Sequence, residues 1–363
     1  MIKMKQIFKK NFCSKVVRIE FNKLIDDTAN TNKEIDEAFN KEGLGAIVVT
    51  KVPNLKQIRQ GVFENCKGLV FSDHSKLQDH VKPEIAYLAG FEPPGIVNND
   101  IPCAAWDGRS CAETIRYPQD PELEKRFENS WPPHLPQFKE KYQACGQLQV
   151  KAQLALLKCF DRYIGKGFEY TKEGTESMFN KFKDNFNDQQ RMLMYYPIKE
   201  VKSNDTWGIK FHRDFCLVTC LIKPGFFTAD KLEEVKTSYT ALVLSNRKDE
   251  RVEVEYEEDE LVLQSGDMSF IYSNGNIMAT PHGVITCADK TPKNCFRFTF
   301  ANFFNPSYDF SLVPPFNHDL EEILKKDIFR DKYKWSMFEK GTIFADITIA
   351  AHKNLYGMSN EKI

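Results

Sequence analysis

The sequence lacks a strong charge of either sign. Lysine and arginine number 50 and aspartate and glutamate 51, so the formal net charge is −1. A balance so close to zero offers no overall field to attract nucleic acid or an anionic membrane surface. Nor does any uninterrupted apolar run approach the roughly 20 residues that a membrane-spanning helix requires. We therefore expect neither nucleic acid nor membrane as a partner.

Cysteine is present, but without the spacing of a metal-binding or disulfide framework. None of the ten cysteines forms a CxxC pair, and most have apolar neighbours in sequence, as expected for buried thiols in a reducing compartment. The first 15 residues, "MIKMKQIFKKNFCSK", are basic and free of acids, which is compatible with a mitochondrial presequence. Because they contain no arginine and a single serine, we expect a cytoplasmic protein, with mitochondrial import as the alternative.

Residues 16–188 read as an N-terminal α/β region. The strand patterns "VVRIEF" and "LGAIVVTKV" flank a helix, "NKEIDEAFNKEG", and residues 54–82 continue with helical character. The stretch 83–118 is rich in Gly and Pro, which favours loops. From 136 to 164, apolar residues recur at steps of three and four and predict a long amphipathic helix, and "SMFNKFKDNF" predicts a short one.

Residues 189–312 change to a period of two. The runs are "RMLMYYP", "FHRDFCLVTCL", "TALVLS", "RVEVEY", "ELVLQ", "MSFIY", "GVITC" and "FRFTFANFF", separated by turn signals. Eight such runs predict an antiparallel sandwich or barrel. Helical patterning returns at 313–363. We therefore expect a mostly β core with flanking helices, the three parts forming one compact unit behind the basic extension 1–15.

Three residues of this β region could hold a metal ion. His212 and Asp214 lie two apart in "FHRDFCLV", so on a continuous strand they would share a face. By itself, a His-x-acid pair is expected about once by chance, and a packed His–carboxylate pair is then the simpler explanation. His282 opens the later run "GVITC", and a folded-back sandwich could bring it opposite the pair. Two imidazoles and one carboxylate form the facial triad of non-haem Fe(II) sites, whereas zinc usually takes a fourth protein ligand or a lone water.

The run "FRFTFANFF" carries a candidate anion-binding pair. Arg297 and Thr299 alternate with phenylalanines, so both would point to one face. A guanidinium on an inward face needs a counter-charge, because an unpaired buried charge is costly. An internal salt bridge would satisfy it, and so would a carboxylate ligand held bidentately by Arg297 with a hydrogen bond from Thr299.

In this order, the motifs resemble the 2-oxoglutarate- and Fe(II)-dependent dioxygenases of the isopenicillin N synthase-like family. "RMLMYYP" is similar to the family's Arg-x-x-Asn-Tyr-Tyr-Pro strand, and "FHRDFCLVTCL" to its His-x-Asp strand. "QSGDMSFIYSNGNIMATPHGV" resembles the segment with the distal His, and "RFTFANFFNP" the Arg-x-Ser/Thr strand. With weaker similarities upstream, the resemblance spans roughly residues 16–312.

The resemblance implies a double-stranded β-helix (jelly roll) with Fe(II), 2-oxoglutarate and O₂ as cofactors. By position, the iron ligands would be His212, Asp214 and His282, and no other catalytic residue is implied. Arg297 and Thr299, helped by Tyr196, would bind the distal carboxylate of 2-oxoglutarate.

The implied activity is hydroxylation, desaturation or ring closure of a small organic substrate, with release of succinate and CO₂. The sequence departs from the family at Met194, where Asn is usual, at Gly283, and in two longer loops, "KPGFFTADKLEEVKTSY" and "TCADKTPKN". Two alternatives stay open. One is an oxidase of the same fold that does not use 2-oxoglutarate, and the other is a catalytically silent member acting as a structural or binding component of an assembly.

Overall fold

The computed structural model describes residues 15–96, 101–117, 119–165, 177–198, 206–287, 289–315, 318–330 and 338–356. Almost all of the expected basic extension, 1–15, lies outside these ranges. The helices are α1 (Phe21–Ile25), α2 (Asn32–Phe39), α3 (Leu55–Phe71), α4 (Pro121–Arg126), α5 (Phe138–Ile164), α6 (Met178–Phe182), α7 (Asp267–Tyr272), α8 (Leu320–Leu324) and α9 (Phe344–Tyr356). In the described ranges, no helix has both the length and the apolar character needed to cross a membrane.

The strands form two sheets. They are β1 (Val17–Glu20), β2 (Ala46–Thr50), β3 (Gly90–Glu92), β4 (Cys103–Gly108), β5 (Phe186–Tyr195), β6 (Thr206–His212), β7 (Val218–Ile222), β8 (Gly225–Thr228), β9 (Glu234–Val235), β10 (Leu242–Ser245), β11 (Arg251–Glu253), β12 (Leu261–Ser265), β13 (His282–Thr286) and β14 (Cys295–Pro306). The large sheet runs β1-β2-β12-β7-β14-β5-β4-β3, with β8 and β9 attached to β14, and the small sheet runs β11-β10-β13-β6. The predicted mostly β core with flanking helices is confirmed.

Alternation along each strand of the large sheet separates an outer from an inner face. Leu261 and Leu263 of β12 point outwards into the main core, which the helices cover. Val262, between them, points inwards and packs with Leu242 and Leu244 of the small sheet. The two sheets therefore pack against each other around these apolar residues, and any side chain on an inner face is directed into the space between the sheets.

The long helix α5 is anchored to the outer face by polar as well as apolar contacts. Gln149 Nε2 donates to the Cys220 carbonyl at 3.0 Å, and Gln153 Nε2 donates to the carbonyls of Val218 and Asn302 at 3.0 and 2.9 Å. Both glutamines are fully buried. Amide groups that bond strand carbonyls satisfy buried acceptors and fix the register of the helix on the sheet.

Two predicted strands are wrong. "MSFIY" is helix α7, whose residues are all buried; a short apolar run does not distinguish a strand from a buried helical turn. "FHRDFCLVTCL" contains two strands, because β6 ends at His212 and β7 begins at Val218. Asp214 therefore lies in a loop that crosses from the small sheet to the large one.

The N-terminal region contributes more strands to the sheet than the sequence predicted. Within 83–118, expected to be loops, β3 and β4 form the far edge of the large sheet, with "CAAWDG" as β4. Ala and Gly are poor strand formers, so this strand depends on its pairing with β5. Because β2 also pairs with β12, the expected division between 16–188 and 189–312 passes through one continuous sheet.

Candidate metal and co-substrate site

The two histidines lie side by side at the end of the small sheet. His212 is the last residue of β6 and His282 the first of β13, and the antiparallel register pairs them directly. Their ring centroids are 4.4 Å apart. Adjacent strand ends thus place both imidazoles on one face.

Asp214 completes the group from the loop. Its Oδ1 is 3.5 Å from His212 Nε2 and its Oδ2 is 3.4 Å from His282 Nε2. One candidate ligand atom from each of the three residues lies within 4.8 Å of the others. The structure therefore brings together the three residues that the sequence singled out, although Asp214 arrives from a loop.

The Nδ1 atoms of both imidazoles are hydrogen-bonded to backbone carbonyls. His212 Nδ1 donates to the Lys210 carbonyl at 2.8 Å and His282 Nδ1 to the Thr280 carbonyl at 3.0 Å. A carbonyl only accepts, so each neutral ring carries its proton on Nδ1 and its lone pair on Nε2, facing Asp214. Such orientation by backbone carbonyls is usual for metal-ligating histidines, and the donor set fits Fe(II).

The charges support the same geometry. Burial raises the pKa of Asp214, but the charge of protonated His282, the interaction with His212 and the hydrogen bond from Thr219 outweigh it and hold that pKa well below its usual range. Burial lowers the pKa of His282. For His212, burial also lowers the pKa, but the Asp214 carboxylate more than compensates and raises it. A carboxylate that stays ionised is the state that binds a cation.

The loop carrying Asp214 is held from below by the turn between β12 and α7. The Asp267 amide donates to the Asp214 carbonyl at 2.8 Å. A Cβ on Gly266 would lie 2.2 Å from the Cys216 carbonyl oxygen and 2.7 Å from that of Asp214. Glycine is therefore required where these two backbone segments meet.

Arg213, between the two ligands in sequence, points away from them. Its Nε lies 3.1 Å from Asp267 Oδ1 and its Nη1 lies 2.6 Å from Asp327 Oδ2, with the Arg213 side chain 3% exposed. Asp327 belongs to the segment after α8, so this ion pair ties the metal loop to the C-terminal extension. Nothing in the motif "HRD" indicated this role, because the partner is more than a hundred residues away.

Arg297 and Thr299 are on the inner face of β14. Arg297 Nη2 donates to the Thr240 carbonyl at 3.0 Å. Its Nε and Nη1 are buried and have no hydrogen-bond partner among the described residues. Thr299 is buried two positions further along the same face. A guanidinium with unpaired buried N–H groups fits a carboxylate ligand and does not fit an internal salt bridge.

The aromatic residue beside Arg297 differs from the one expected. In the β5–β14 register Arg297 opposes Tyr195 and Thr299 opposes Leu193, and the guanidinium lies 5.1 Å from the centre of the Tyr195 ring. Tyr196 instead packs against Phe296, with ring centroids 5.3 Å apart, alongside the outer core. Tyr195, and not the expected Tyr196, is therefore the tyrosine that lies beside Arg297.

The same alternation of side chains along β5 places Met194 on the outer face of the sheet. It opposes Phe298 and lies in the outer core, so it does not face the site. The inward residue is Leu193. The apolar side chain of Leu193 offers no hydrogen bond to a ligand at this position.

Sequence reasoning missed Thr219 and Gln264. Thr219 Oγ1 donates a hydrogen bond to Asp214 Oδ2. Gln264 opposes Thr219 on the inner face, and both of its side-chain polar atoms are buried without a partner among the described residues. Only the strand register identifies these two, because neither lies in a recognisable motif.

Comparisons with known proteins complete the assignment. Residues 187–306 match the 2OG-Fe(II) oxygenase superfamily. Those residues belong to that superfamily. The expected non-haem dioxygenase, with Fe(II), 2-oxoglutarate and O₂ as cofactors, is thereby confirmed at the level of the family. No curated protein matches the chain.

Solved structures share the fold of this oxygenase. A 2OG-Fe(II) oxygenase family protein from Caulobacter crescentus is 16% identical with a TM-score of 0.62, covering 93% of this chain and 99% of its own. A full-length Neurospora crassa protein, solved in complex with alpha-KG, is 16% identical with a TM-score of 0.62, covering 93% and 95%. AtDAO1 of Arabidopsis thaliana, in a 2-oxoglutarate complex, is 18% identical with a TM-score of 0.57, covering 85% and 99%.

Proposed function

We propose that this oxygenase oxidises a small organic molecule by hydroxylation, desaturation or ring closure, with His212, Asp214 and His282 as its iron ligands. The observation that carries the proposal is the convergence of three ligand atoms within 4.8 Å. The N. crassa protein has also been solved with alpha-KG and thymine, and AtDAO1 is named a dioxygenase for auxin oxidation. Both support a small organic substrate.

The protein's part is to orient the reactants. The Lys210 and Thr280 carbonyls fix the two imidazoles, and Thr219 fixes one oxygen of Asp214. Arg297 and Thr299 would hold the distal carboxylate of 2-oxoglutarate, with Tyr195 packed against the guanidinium. Once bound, the iron and 2-oxoglutarate supply the oxidising chemistry.

An anaerobic titration tests the ligand set. Purified protein loaded with Fe(II) should develop a weak visible charge-transfer band when 2-oxoglutarate is added, because the keto acid chelates the metal. Asp214→Ala should abolish the band, whereas His74→Ala, which changes an exposed histidine, should leave it intact. A band that persists in Asp214→Ala would refute the ligand assignment.

The same band tests whether Arg297 and Thr299 bind the distal carboxylate of 2-oxoglutarate. Arg297→Ala should raise the concentration of 2-oxoglutarate needed for half-maximal absorbance by about tenfold or more, the scale of hydrogen bonds to a charged group. An unchanged requirement would remove Arg297 from the site. If the wild-type protein binds iron but shows no band, the oxidase that does not use 2-oxoglutarate is favoured. If it binds no iron, the catalytically silent alternative is favoured.

A further inference from the structure

Three charged side chains converge on the inner face of the large sheet, outside the metal and co-substrate site. We define Glu92 of β3, Asp107 of β4 and Arg191 of β5 as the inner charged cluster. Arg191 Nη2 bonds Glu92 Oε2, and Arg191 Nε lies 3.2 Å from Asp107 Oδ1. The side chains of Glu92 and Asp107 are 3% and 1% exposed, and that of Arg191 is 13% exposed.

Strand register shows that this cluster and the co-substrate residues share one face. Asp107 opposes Arg191, and Tyr195, four residues beyond Arg191, opposes Arg297. Residues an even number of positions apart on a strand point to the same side. Arg191 and Arg297 are therefore both directed into the space between the sheets.

The cluster is also close to the metal ligands. Phe303 of β14 opposes Thr219 on one side and Gln189 on the other, and Thr219 bonds Asp214. Two strand spacings separate Thr219 from Gln189, or about 10 Å. In the adjacent row, Ala301 lies beside Arg191 and offers only a methyl group. The inner charged cluster therefore lies on the same inner face as Thr219, two strands away.

Helix α9 places His352 near the metal loop and within the electrostatic influence of Arg191. Its His352 lies 6.4 Å, ring to ring, from Phe215, which follows the ligand Asp214 in sequence. His352 Nδ1 donates to the Thr348 carbonyl at 2.8 Å. Burial, helped by the charge of Arg191, lowers the pKa of His352 to about 4. The ring is therefore neutral, and its Nε2 is a hydrogen-bond acceptor.

Acceptors dominate the hydrogen-bonding capacity of this region. The guanidinium of Arg191 is directed at two carboxylates, and Gln189 Nε2 donates to Asp107 Oδ1 at 3.2 Å. Asp107 Oδ2 is buried and, within the described ranges, has no hydrogen-bond partner. Burial raises the pKa of Asp107 to about 7. Above that pH the carboxylate is ionised, so an N–H donor placed there would satisfy this oxygen, whereas a second carboxylate would be repelled.

We propose that the inner charged cluster and His352 form the substrate-recognition site, and that the substrate presents N–H donors, as amides, imides and amines do, rather than a carboxylate. This inference rests on the proposed function, because it identifies the substrate side of the same iron site. An ion pair with a purely structural role would affect stability but would have no influence on which ligand binds.

The test uses the full-length protein with Fe(II) and 2-oxoglutarate under anaerobic conditions. Matched probes differ in one group: nicotinamide against nicotinate, and indole-3-acetamide against indole-3-acetate. Binding is followed as a change in the charge-transfer band. We expect the wild-type protein to bind the amide of each pair about tenfold or more tightly than the acid, the scale of one hydrogen bond to a charged group. Equal binding, or tighter binding of the acids, would overturn the proposal.

Variants separate recognition from structure. Asp107→Asn should abolish the preference for amides, while the band with 2-oxoglutarate still forms. His352→Leu should weaken the preference for amides. The matched control is Glu234→Gln, which alters a carboxylate paired with Arg59 at 2.8 Å outside this space. It should keep the wild-type preference. The proposal would be contradicted if Glu234→Gln lost the preference for amides or if Asp107→Asn kept it. A missing band in the wild-type protein would instead contradict the proposed function.

Discussion

Arg213 offers a way to perturb the metal loop without touching a ligand atom. Its side chain is 3% exposed, and it is held between Asp267 and Asp327, whose side chains are 9% and 2% exposed. Arg213→Met removes the cation, keeps an unbranched apolar chain and leaves two buried carboxylates facing each other. Breaking a buried ion pair typically costs about 3–5 kcal/mol. We expect the free energy of unfolding to fall by at least about 3 kcal/mol.

Equilibrium unfolding of the metal-free protein in urea measures this loss, because bound metal would otherwise add its own stabilisation. The control is Arg330→Met, on the same C-terminal extension. Arg330 pairs with Glu321 at 3.1 Å, but the two side chains are 41% and 64% exposed. An exposed pair contributes about 0–1 kcal/mol, so the control should unfold almost as the wild-type protein does.

A second measurement asks whether the metal loop itself is affected. Under native conditions, the dissociation constant for Co(II) should rise in Arg213→Met and stay at its wild-type value in Arg330→Met. A stability loss in Arg213→Met no larger than that of the control would refute the assigned ion-pair network. A large loss of stability with unchanged Co(II) affinity would mean that Arg213 anchors the extension but does not position the ligands.

Three further predictions follow from the site. Tyr195→Leu should weaken 2-oxoglutarate binding severalfold by removing the ring next to Arg297, whereas Tyr196→Leu should not; titration of the charge-transfer band distinguishes them, and the reverse order would restore the original assignment. Gly266→Ala should weaken Co(II) binding because its Cβ would collide with the loop, while Gly61→Ala, which meets only a flexible lysine at 3.3 Å, should not; equal affinities would show that the loop can shift. Burial raises the pKa of Asp107 from 3.8 to about 7, so the folded state retains a proton that the unfolded chain releases. The free energy of unfolding should therefore fall as pH rises through this window, by at most about 1.4 kcal/mol per pH unit, and urea unfolding at several pH values should show a shallower slope in Asp107→Asn.

The residues of the site were easier to predict than their placement. His212, Asp214 and His282 were identified by residue type and order, which survive an error in local structure. The prediction that His212 and Asp214 share a strand was wrong, because no glycine or proline between Phe211 and Val218 marks the end of β6. Since a loop can present a carboxylate as well as a strand can, the three residues still converge in the structure.

The facing direction of β5 could not be read from its sequence. "RMLMYYP" is apolar or aromatic at nearly every position, so its period does not distinguish the inner from the outer face. Only pairing with β14 shows that Leu193 and Tyr195 point inwards. The inner charged cluster was missed for a related reason, since Glu92 and Asp107 lie on short strands within a stretch expected to be loops.

The three proposed metal ligands come from both halves of the sandwich. His212 and His282 belong to the small sheet, whereas Asp214 lies on the segment that leads into β7 of the large sheet and is bonded to Thr219 there. A bound ion would therefore connect the two sheets at this point, in addition to the apolar packing of Val262 against Leu242 and Leu244. Loss of metal should thus open the sandwich from one side. Amide hydrogen exchange would record this as faster exchange at the adjoining ends of β6 and β13, with the far strands still closed.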